Sequence, residues 1–406
     1  MAYLRDKDLE FLQFCDNEDL QVLVDYLTKD KDGDTRISEE LTLTEEYKKY
    51  YPNNLSMMWE LIAKELQHYG GNTFANALRS TGVRYNEILR DVAKKNKVNF
   101  NPSSETDLIE YYLLQSIMEK AISEMSEEEL KSFLNEMDSG RIIGTKAAMS
   151  VAAIQLVRTA ITSGGFVAYK ISVIVANAVA KQVLGRGLTL ATNAAITSGL
   201  RTTLAFLGPV AWVVGGVWAL FDIASPAYRV TMPCVIQIAY MRMKYNEKSK
   251  EFFKEIRILL NDLKYDEALR LLNTKWRQYG DSSEFKMLVE KTSELRRKEE
   301  IEKAKVTFYE DIEILLKQGK YEEALSRLKR EAFQCKEDDK FKLFMKEALH
   351  LKEKEEMEKQ FSYYEELFND RKFEELLRIL FKDEDKYGAY DKYKEIKKKL
   401  FDKMYN

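Results

Sequence analysis

Twenty consecutive residues without a charged side chain, Thr202 to Phe221, read TTLAFLGPVAWVVGGVWALF. This length is what an α-helix needs to span the hydrocarbon core of a bilayer. The stretch belongs to a longer segment, Ser139 to Asn246, in which Asp222 is the only carboxylate among ten Lys and Arg residues. That acid-poor segment carries +9, so the remainder of a chain of net charge −3 carries −12. We expect the segment either to be buried in a helical core or to enter a membrane.

The overall composition predicts a mostly helical protein of two or three domains. Among 406 residues there are only 5 prolines and 17 glycines, and 45% of the chain is hydrophobic. Cys15, Cys234 and Cys335 lack the spacing of a metal site or a disulfide framework, which suits a reducing compartment. The N-terminus has no signal-peptide pattern, so we expect a cytoplasmic protein, membrane-associated if the apolar stretch is inserted. The low net charge argues against nucleic acid as a partner.

Three zones follow from these patterns, and together they predict an all-α fold. Residues 1–138 form an N-terminal helical domain, in which Ser126 and Glu129 have the spacing of a capping box. Residues 139–246 form an apolar, cationic block, a Gly- and Ala-rich helical hairpin or bundle whose chain is interrupted at Pro226 and Pro233. Residues 247–406 form an arm of helical repeats.

The repeat arm contains three copies of one pattern. Residues 255–272, 311–328 and 363–380 align without a gap as EIRILLNDLKYDEALRLL, DIEILLKQGKYEEALSRL and YYEELFNDRKFEELLRIL. We predict a helix, a tight turn held by Tyr265, Tyr321 or Phe373, and a second helix in each copy. The motif Gly319-Lys320-Tyr321-Glu322-Glu323-Ala324 resembles the turn of tetratricopeptide repeats, although a spacing above 50 residues implies an extra or extended helix. Such arrays offer surfaces to protein partners, so we predict an unidentified protein partner here.

Motifs in the first 246 residues resemble the YaaW-like family of uncharacterised bacterial proteins. They include Leu4-Arg5-Asp6-Lys7-Asp8-Leu9-Glu10-Phe11, Gly82-Val83-Arg84-Tyr85 and Ser225-Pro226-Ala227-Tyr228-Arg229-Val230. Residues 50–138 are also similar to a ubiquinol–cytochrome c chaperone-like segment. The resemblance implies family membership but no activity, cofactor or catalytic residue.

The sequence offers little for metal binding or catalysis. Thr28 to Glu39 has partial EF-hand spacing, with Asp30, Asp32 and Glu39 at ligand positions, but Thr28 replaces the first acidic ligand. An ordinary polar turn is favoured, with a calcium site as the minor alternative. With two histidines and no phosphate-binding loop, we predict a protein that is not an enzyme and needs no cofactor. An enzyme built on a pair of buried carboxylates is an alternative.

The favoured hypothesis is an adaptor or effector that binds a protein through its repeats and an anionic membrane through its central block. The residues predicted to contact the membrane are Leu204, Phe206, Trp212, Trp218 and Phe221 for insertion and Arg158, Lys170, Lys181 and Arg201 for headgroups. One alternative is a soluble helical scaffold or chaperone-like protein with the apolar block buried. Another is a triggered pore-forming effector, and the oligomeric state is left open.

Overall fold

The computed structural model describes residues 3–30, 32–36, 39–71, 82–137, 144–188, 228–335 and 338–405. Within these ranges the chain forms α-helices and short 3-10 helices and contains no strand, which confirms the predicted all-α class. The chain divides into two compact units, Met1–Lys286 and Met287–Asn406.

The first unit is built from short helices around one long helix. Its 3-10 helices are Glu10–Phe14, Leu41–Leu43 and Leu55–Met58. Its α-helices are α1 Asn17–Thr28, α2 Glu45–Tyr50, α3 Trp59–Gly71, α4 Tyr85–Lys95, α5 Thr106–Glu124, α6 Glu127–Glu136, α7 Lys146–Ser163, α8 Phe166–Leu184, α9 Tyr228–Asn261, α10 Tyr265–Thr274 and α11 Trp276–Tyr279. The predicted capping box at the start of α6 is confirmed: the Ser126 hydroxyl accepts the Glu129 N–H, and the Glu129 carboxylate accepts the Ser126 N–H.

Helix α9 is the centre of the first unit. Almost every side chain from Tyr228 to Lys244 is buried, and the helix packs against α1, α3, α4, α5 and α8. Pro233 lies inside α9, so the predicted interruption of the chain at this residue is wrong. Pro233 lies in the second turn of α9, and its destabilising effect on the helix is limited because only one backbone hydrogen bond near the helix start is lost.

One hydrophobic core joins residues from both sides of the predicted boundary near residue 138. Leu12 and Leu23 of the N-terminal zone share this core with Val175 of α8 and Ile236 of α9. The predicted boundary at residue 246 falls within α9, which continues to Asn261. The two compact units therefore differ from the three predicted zones, because a shared core extends across the predicted boundary near residue 138 and the continuous helix α9 extends across the one at residue 246.

The second unit contains two separate hydrophobic clusters. The described helices that enter it are α12 Ser283–Lys317, within which the division falls, α13 Tyr321–Cys335, α14 Asp339–Asn369, α15 Phe373–Tyr387 and α16 Asp391–Tyr405. One cluster is centred on Ile312, Leu328 and Phe341, and the other on Tyr364, Leu380 and Tyr393. Each cluster holds three helical segments, as expected if each copy of the repeat builds its own small core.

The turns of the three repeats share one backbone geometry. Leu263, Gly319 and Arg371 occupy equivalent positions and all have a left-handed conformation, with φ of 60°, 74° and 60°. The next residue in each copy donates its N–H to a carbonyl five residues earlier, at 2.9–3.0 Å, as Lys264 does to Leu259. This is the Schellman ending of a helix, for which glycine is the favoured residue. Only the second copy has glycine there, so the other two turns carry backbone strain.

Replacing Arg371 with glycine is expected to stabilise the second unit by about 1 kcal/mol. The left-handed conformation costs a non-glycine residue about 1–2 kcal/mol, and glycine removes this cost. The greater conformational freedom of glycine in the unfolded chain offsets part of the gain in stability. Gly319→Ala is the reciprocal variant and should destabilise by a similar amount, since the nearest atom to the new Cβ is 4.0 Å away and only the backbone is strained. Urea denaturation of both variants measures the effect, and equal destabilisation by both would contradict it.

Candidate functional site: the charge network around the central helix

Cations of the acid-poor segment pair with carboxylates of the N-terminal zone. Each of the helices α7 and α9, and the segment after α8, contributes at least one such pair. The pairs are Arg158 with Glu119, Arg186 with Asp25, Arg242 with Glu110, and Lys244 with Asp16 and Asp19. Four of the ten cations of this segment are thus neutralised by carboxylates inside the first unit.

The innermost pair lies where α9 crosses α1. The Nζ atom of Lys244 is 2.7 Å from Oδ2 of Asp19 and 2.7 Å from Oδ2 of Asp16, and the Lys244 and Asp19 side chains are only 9% and 4% exposed. The Tyr240 hydroxyl donates to Asp19 at 3.1 Å, and the Gln237 amide donates to the Asp19 carbonyl at 3.0 Å. Asp19 is therefore surrounded by donors from three successive turns of α9.

The electrostatics of this cluster favour the charged forms of Lys244 and Asp16, whereas burial raises the pKa of Asp19 despite the nearby Lys244. Burial alone would lower the pKa of Lys244, but the carboxylates of Asp19 and Asp16 outweigh it and hold the pKa above its ordinary value. Burial alone would raise the pKa of Asp16, but Lys244 and Lys248 hold it below its usual range. The lysine stays protonated at physiological pH, so it has no free pair of electrons for base or nucleophilic chemistry.

A second cluster lies around Arg242. Its Nε donates to Glu110 at 2.9 Å, and its Nη2 donates to the Asp8 carbonyl at 2.6 Å. The same guanidinium stacks over the Phe11 ring, 4.4 Å from the centroid. The other oxygen of Glu110 accepts the Tyr85 hydroxyl at 2.6 Å. Arg242 thereby joins α9 to α4, α5 and the N-terminal segment.

All five residues predicted to insert into a membrane, and one predicted headgroup contact, lie outside the described residues: Leu204, Phe206, Trp212, Trp218 and Phe221, and the cation Arg201. The other predicted headgroup contacts lie on α7 and α8. Arg158 donates to both Glu119 oxygens, at 2.8 and 3.1 Å. Lys170 lies over the Phe166 ring, and Lys181 is half-buried on α8. Their roles as membrane contacts stay predictions.

Helix α8 is long and apolar enough to cross a membrane, but 67% of its most apolar 18-residue stretch is buried in the first unit. Every side chain from Tyr169 to Ala180 is buried except Lys170, and Tyr169 stacks on Tyr240 of α9, with ring centroids 6.2 Å apart. Core helices of water-soluble proteins have this same combination of composition and burial.

The acidic residues of the EF-hand-like segment serve the backbone. The Asp30 carboxylate accepts the N–H groups of Asp32 and Asp34 at 3.0 Å. Glu39 is buried and accepts the Thr42 N–H at 2.9 Å, at the 3-10 helix that follows. Across the part of the chain that the structure describes, no group of three or more His, Cys, Asp or Glu residues could hold a metal ion.

The turn residues of the repeats begin the second helix of each copy. Tyr265, Tyr321 and Phe373 are the first residues of α10, α13 and α15. Tyr265 is buried, and the other two are half-buried against the clusters of the second unit. Their packing accounts for the turns, while their predicted part in partner binding stays a prediction.

Glu65 of α3 is a buried carboxylate without an ion pair among the described residues. It is 3% exposed, and its Oε1 accepts the Glu40 N–H at 3.2 Å. Burial raises the pKa of Glu65 to about 7. The nearby charges of Glu39 and Glu40 also raise this pKa, whereas the hydrogen bond from the Glu40 N–H and the charge of Lys64 lower it. His68 follows Glu65 by three residues, and this spacing alone gives no sign of the buried environment of Glu65.

Comparisons with known proteins agree with the sequence motifs. A family profile described as a domain of unknown function, DUF3944, matches residues 3–37. A UPF0174 protein of Helicobacter pylori strain J99 is 44% identical over 253 residues, which are 62% of this chain and 96% of that protein. The chain belongs to the UPF0174 family. UPF0174 protein YaaW of Escherichia coli K12 is 34% identical over 245 residues, which are 59% of this chain and 95% of that protein.

The predicted YaaW-like membership is therefore confirmed. The chaperone-like segment and the tetratricopeptide-like tail stay predictions, and no solved structure matches this UPF0174 protein. The buried carboxylates Asp19 and Glu110 and the half-buried Asp16 were missed by the sequence reasoning. The signal that could have found them is the opposition between an acid-poor segment of +9 and a remainder of −12.

Replacing Lys244 with methionine is expected to destabilise the first unit by about 3–5 kcal/mol, because it leaves the buried Asp19 carboxylate without a cation, while Asp16 keeps its pair with Lys248. Lys250→Met is the matched control on the same helix, since Lys250 is exposed and pairs only with Glu247. Its effect should stay within about 0.5 kcal/mol. Adding Asp19→Asn to Lys244→Met should recover part of the loss, and a fully additive double variant in urea denaturation would contradict the coupling.

Replacing Glu65 with glutamine is expected to stabilise the first unit above pH 7. The pKa of Glu65 is about 7 in the folded protein and 4.5 in a model compound, so the folded state binds the proton more tightly. The tighter binding of this proton contributes fully to the stability of the folded state below pH 4.5, and the contribution is lost as the pH rises to 7. Glu65→Gln should remove this loss, worth up to about 3 kcal/mol. Denaturation between pH 4 and 8 tests it, with exposed Glu60→Gln as control; parallel pH profiles of Glu65→Gln and wild type would contradict it.

Proposed function

We propose that this UPF0174 protein is a non-enzymatic adaptor that engages an anionic membrane through its acid-poor segment and binds a protein partner through its repeats. The single observation that carries the proposal is the uncharged stretch Thr202–Phe221, inserted between two helices, α8 and α9, that are anchored in a folded core. Its length suits a bilayer.

The ion pairs of the first unit support a role in which the apolar stretch engages the membrane while the helices on either side of it stay in the core. Arg186 after α8 is paired with Asp25, and Arg242 and Lys244 of α9 are paired with buried carboxylates. These contacts fix both helices that flank the apolar stretch. The stretch could then act without breaking these pairs, and each charge left buried in the core without its partner would cost several kcal/mol.

Exposed apolar side chains at equivalent repeat positions support partner binding. Ile258 and Ile314 are 49% and 51% exposed, and Met287 and Leu343 are 54% and 61% exposed. In both pairs the residues are 56 positions apart, which is the spacing of the first two copies. Exposed apolar residues repeated in register suit recognition of a partner more than they suit folding.

The proposal of a non-enzymatic role rests on the chemistry of the buried groups. Burial raises the pKa of the Cys15 and Cys234 thiols, which disfavours the reactive thiolate at neutral pH. The buried carboxylates Asp19 and Glu110 are bound by lysine, arginine and tyrosine, so their oxygens face protein donors.

A second candidate function is a soluble helical scaffold, and the burial of α8 favours it. A helix that passes the length and apolarity test for a membrane span is here mostly covered by protein. In this version the acid-poor segment contributes only to the core, and the repeats alone carry the interaction.

In liposome flotation, the full-length protein is expected to rise with vesicles that contain phosphatidylglycerol and to stay behind with phosphatidylcholine alone. Trp212→Glu should lose most of the flotation, because a carboxylate placed in the hydrocarbon costs about 2.5 kcal/mol or more. Trp276→Glu is the matched control, since Trp276 is 54% exposed and lies outside the acid-poor segment.

Three outcomes separate the alternatives. Protein that never floats would contradict membrane engagement and favour the soluble scaffold. Flotation that Trp212→Glu leaves intact would contradict insertion through Thr202–Phe221. Release of an entrapped dye by the wild-type protein, abolished by Trp212→Glu, would favour a pore-forming effector over an adaptor.

A further inference from the structure

A polar cleft of about 890 Å³ lies in the first unit and brings together two of the sequence motifs. Arg5 and Lys7 come from the N-terminal motif, and Arg84 comes from the motif that precedes α4. Ser103 and Arg90 also line the cleft. Its size falls in the range of small-molecule sites, but its walls carry charged and hydroxyl groups where such sites are usually apolar.

Two of the carboxylates at the cleft are already used by the protein. Asp6 accepts the Tyr85 N–H at 2.7 Å and the Asp8 N–H at 3.1 Å. Asp8 accepts the Thr106 hydroxyl at 2.7 Å. These bonds explain how the two motifs come together, and none of them uses the cationic side chains of the same motifs.

The cations of the cleft are mostly unpaired. Arg5 pairs with Glu10. Within the described residues, Lys7, Arg84 and Arg90 make no ion pair, although Glu87 and Glu105 also line the cleft. The Nε of Arg90 is enclosed by protein and has no hydrogen-bond partner in the same part of the chain. An enclosed N–H without an acceptor is unfavourable, and no acceptor from the described residues reaches this group.

We propose that the cleft binds a small phosphate-bearing anion, with Arg90 and Arg84 as its principal contacts. A guanidinium matches the oxygens of a phosphate with two parallel hydrogen bonds. Lys7 adds a third positive charge, and the Ser104 hydroxyl adds a donor. This site is independent of the apolar stretch and of the repeats, so it goes beyond the adaptor function.

The same chemistry could be offered by a soluble phosphate compound or by a phospholipid headgroup. Calorimetric titration of the full-length protein with inorganic pyrophosphate tests the first source. Sedimentation with phosphatidylglycerol vesicles tests the second, and the Trp212→Glu background removes binding that depends on the apolar stretch.

Saturable binding of one pyrophosphate per chain is expected. Arg90→Gln and Arg84→Gln should each weaken it at least tenfold, and circular dichroism should show unchanged helicity. Arg84 is exposed, so its variant keeps the test valid if Arg90→Gln fails to fold. Lys94→Gln is the matched control, because Lys94 is an exposed cation on α4 that does not line the cleft.

The outcomes divide as follows. Vesicle binding that requires Arg90 and Arg84, without pyrophosphate binding, would keep the anion site and assign it to a headgroup. Equal weakening by Lys94→Gln would show non-specific attraction and overturn the proposal. It would also be overturned if neither pyrophosphate nor vesicles bound in a way that depends on Arg90 or Arg84. None of these results depends on whether the protein floats through Thr202–Phe221.

Discussion

The ion pair between Lys244 and Asp19 joins the two oppositely charged parts of the first unit at its most buried point. Two charges removed from water gain little net stability from each other, because desolvation offsets most of their attraction. Leaving either one alone is far more costly. The pair therefore acts mainly as a constraint: any packing of α9 that separates Lys244 from Asp19 is penalised, whatever apolar contacts it makes.

The same constraint recurs along α9, and it fixes the position of the helix. Arg242 reaches Glu110 of α5, Lys244 reaches Asp19 of α1, and Lys248 reaches Asp16. Because these partners lie on different elements, a shift of α9 by one turn would break several pairs at once. Apolar side chains on the same helix, such as Ile236, tolerate small shifts more easily. Burial supplies the stability of this core, and the ion pairs select one arrangement of it.

The sequence predicted the class of the fold and much of its local structure. Helical periodicity, the Ser126 capping box and the gapless alignment of the repeats all depend on residues close together in the chain. The charge network could not be predicted, because Asp19 and Lys244 are 225 residues apart and a count of charges does not say which ones meet. Pro233 misled for a related reason: the packing around α9 outweighs its local tendency to interrupt a helix. The cleft likewise needed the fold to bring Asp6 to Tyr85.

The long spacing between the second and third repeats has its cause in α14. Phe341 and Ala348, near its start, belong to one hydrophobic cluster, whereas Phe361 and Tyr364 belong to the next. The intervening turns are largely exposed and carry pairs four residues apart, such as Lys352 with Glu356 and Lys354 with Glu358. Such pairs support a helix that has little core to pack against. Thirteen helical residues from Ala348 to Phe361 span about 20 Å, which holds the two cores apart. Stacked solenoids bury one continuous core and form one groove. Separate cores on a shared helix instead present separate surfaces, so a partner of this arm would be recognised by individual three-helix cores.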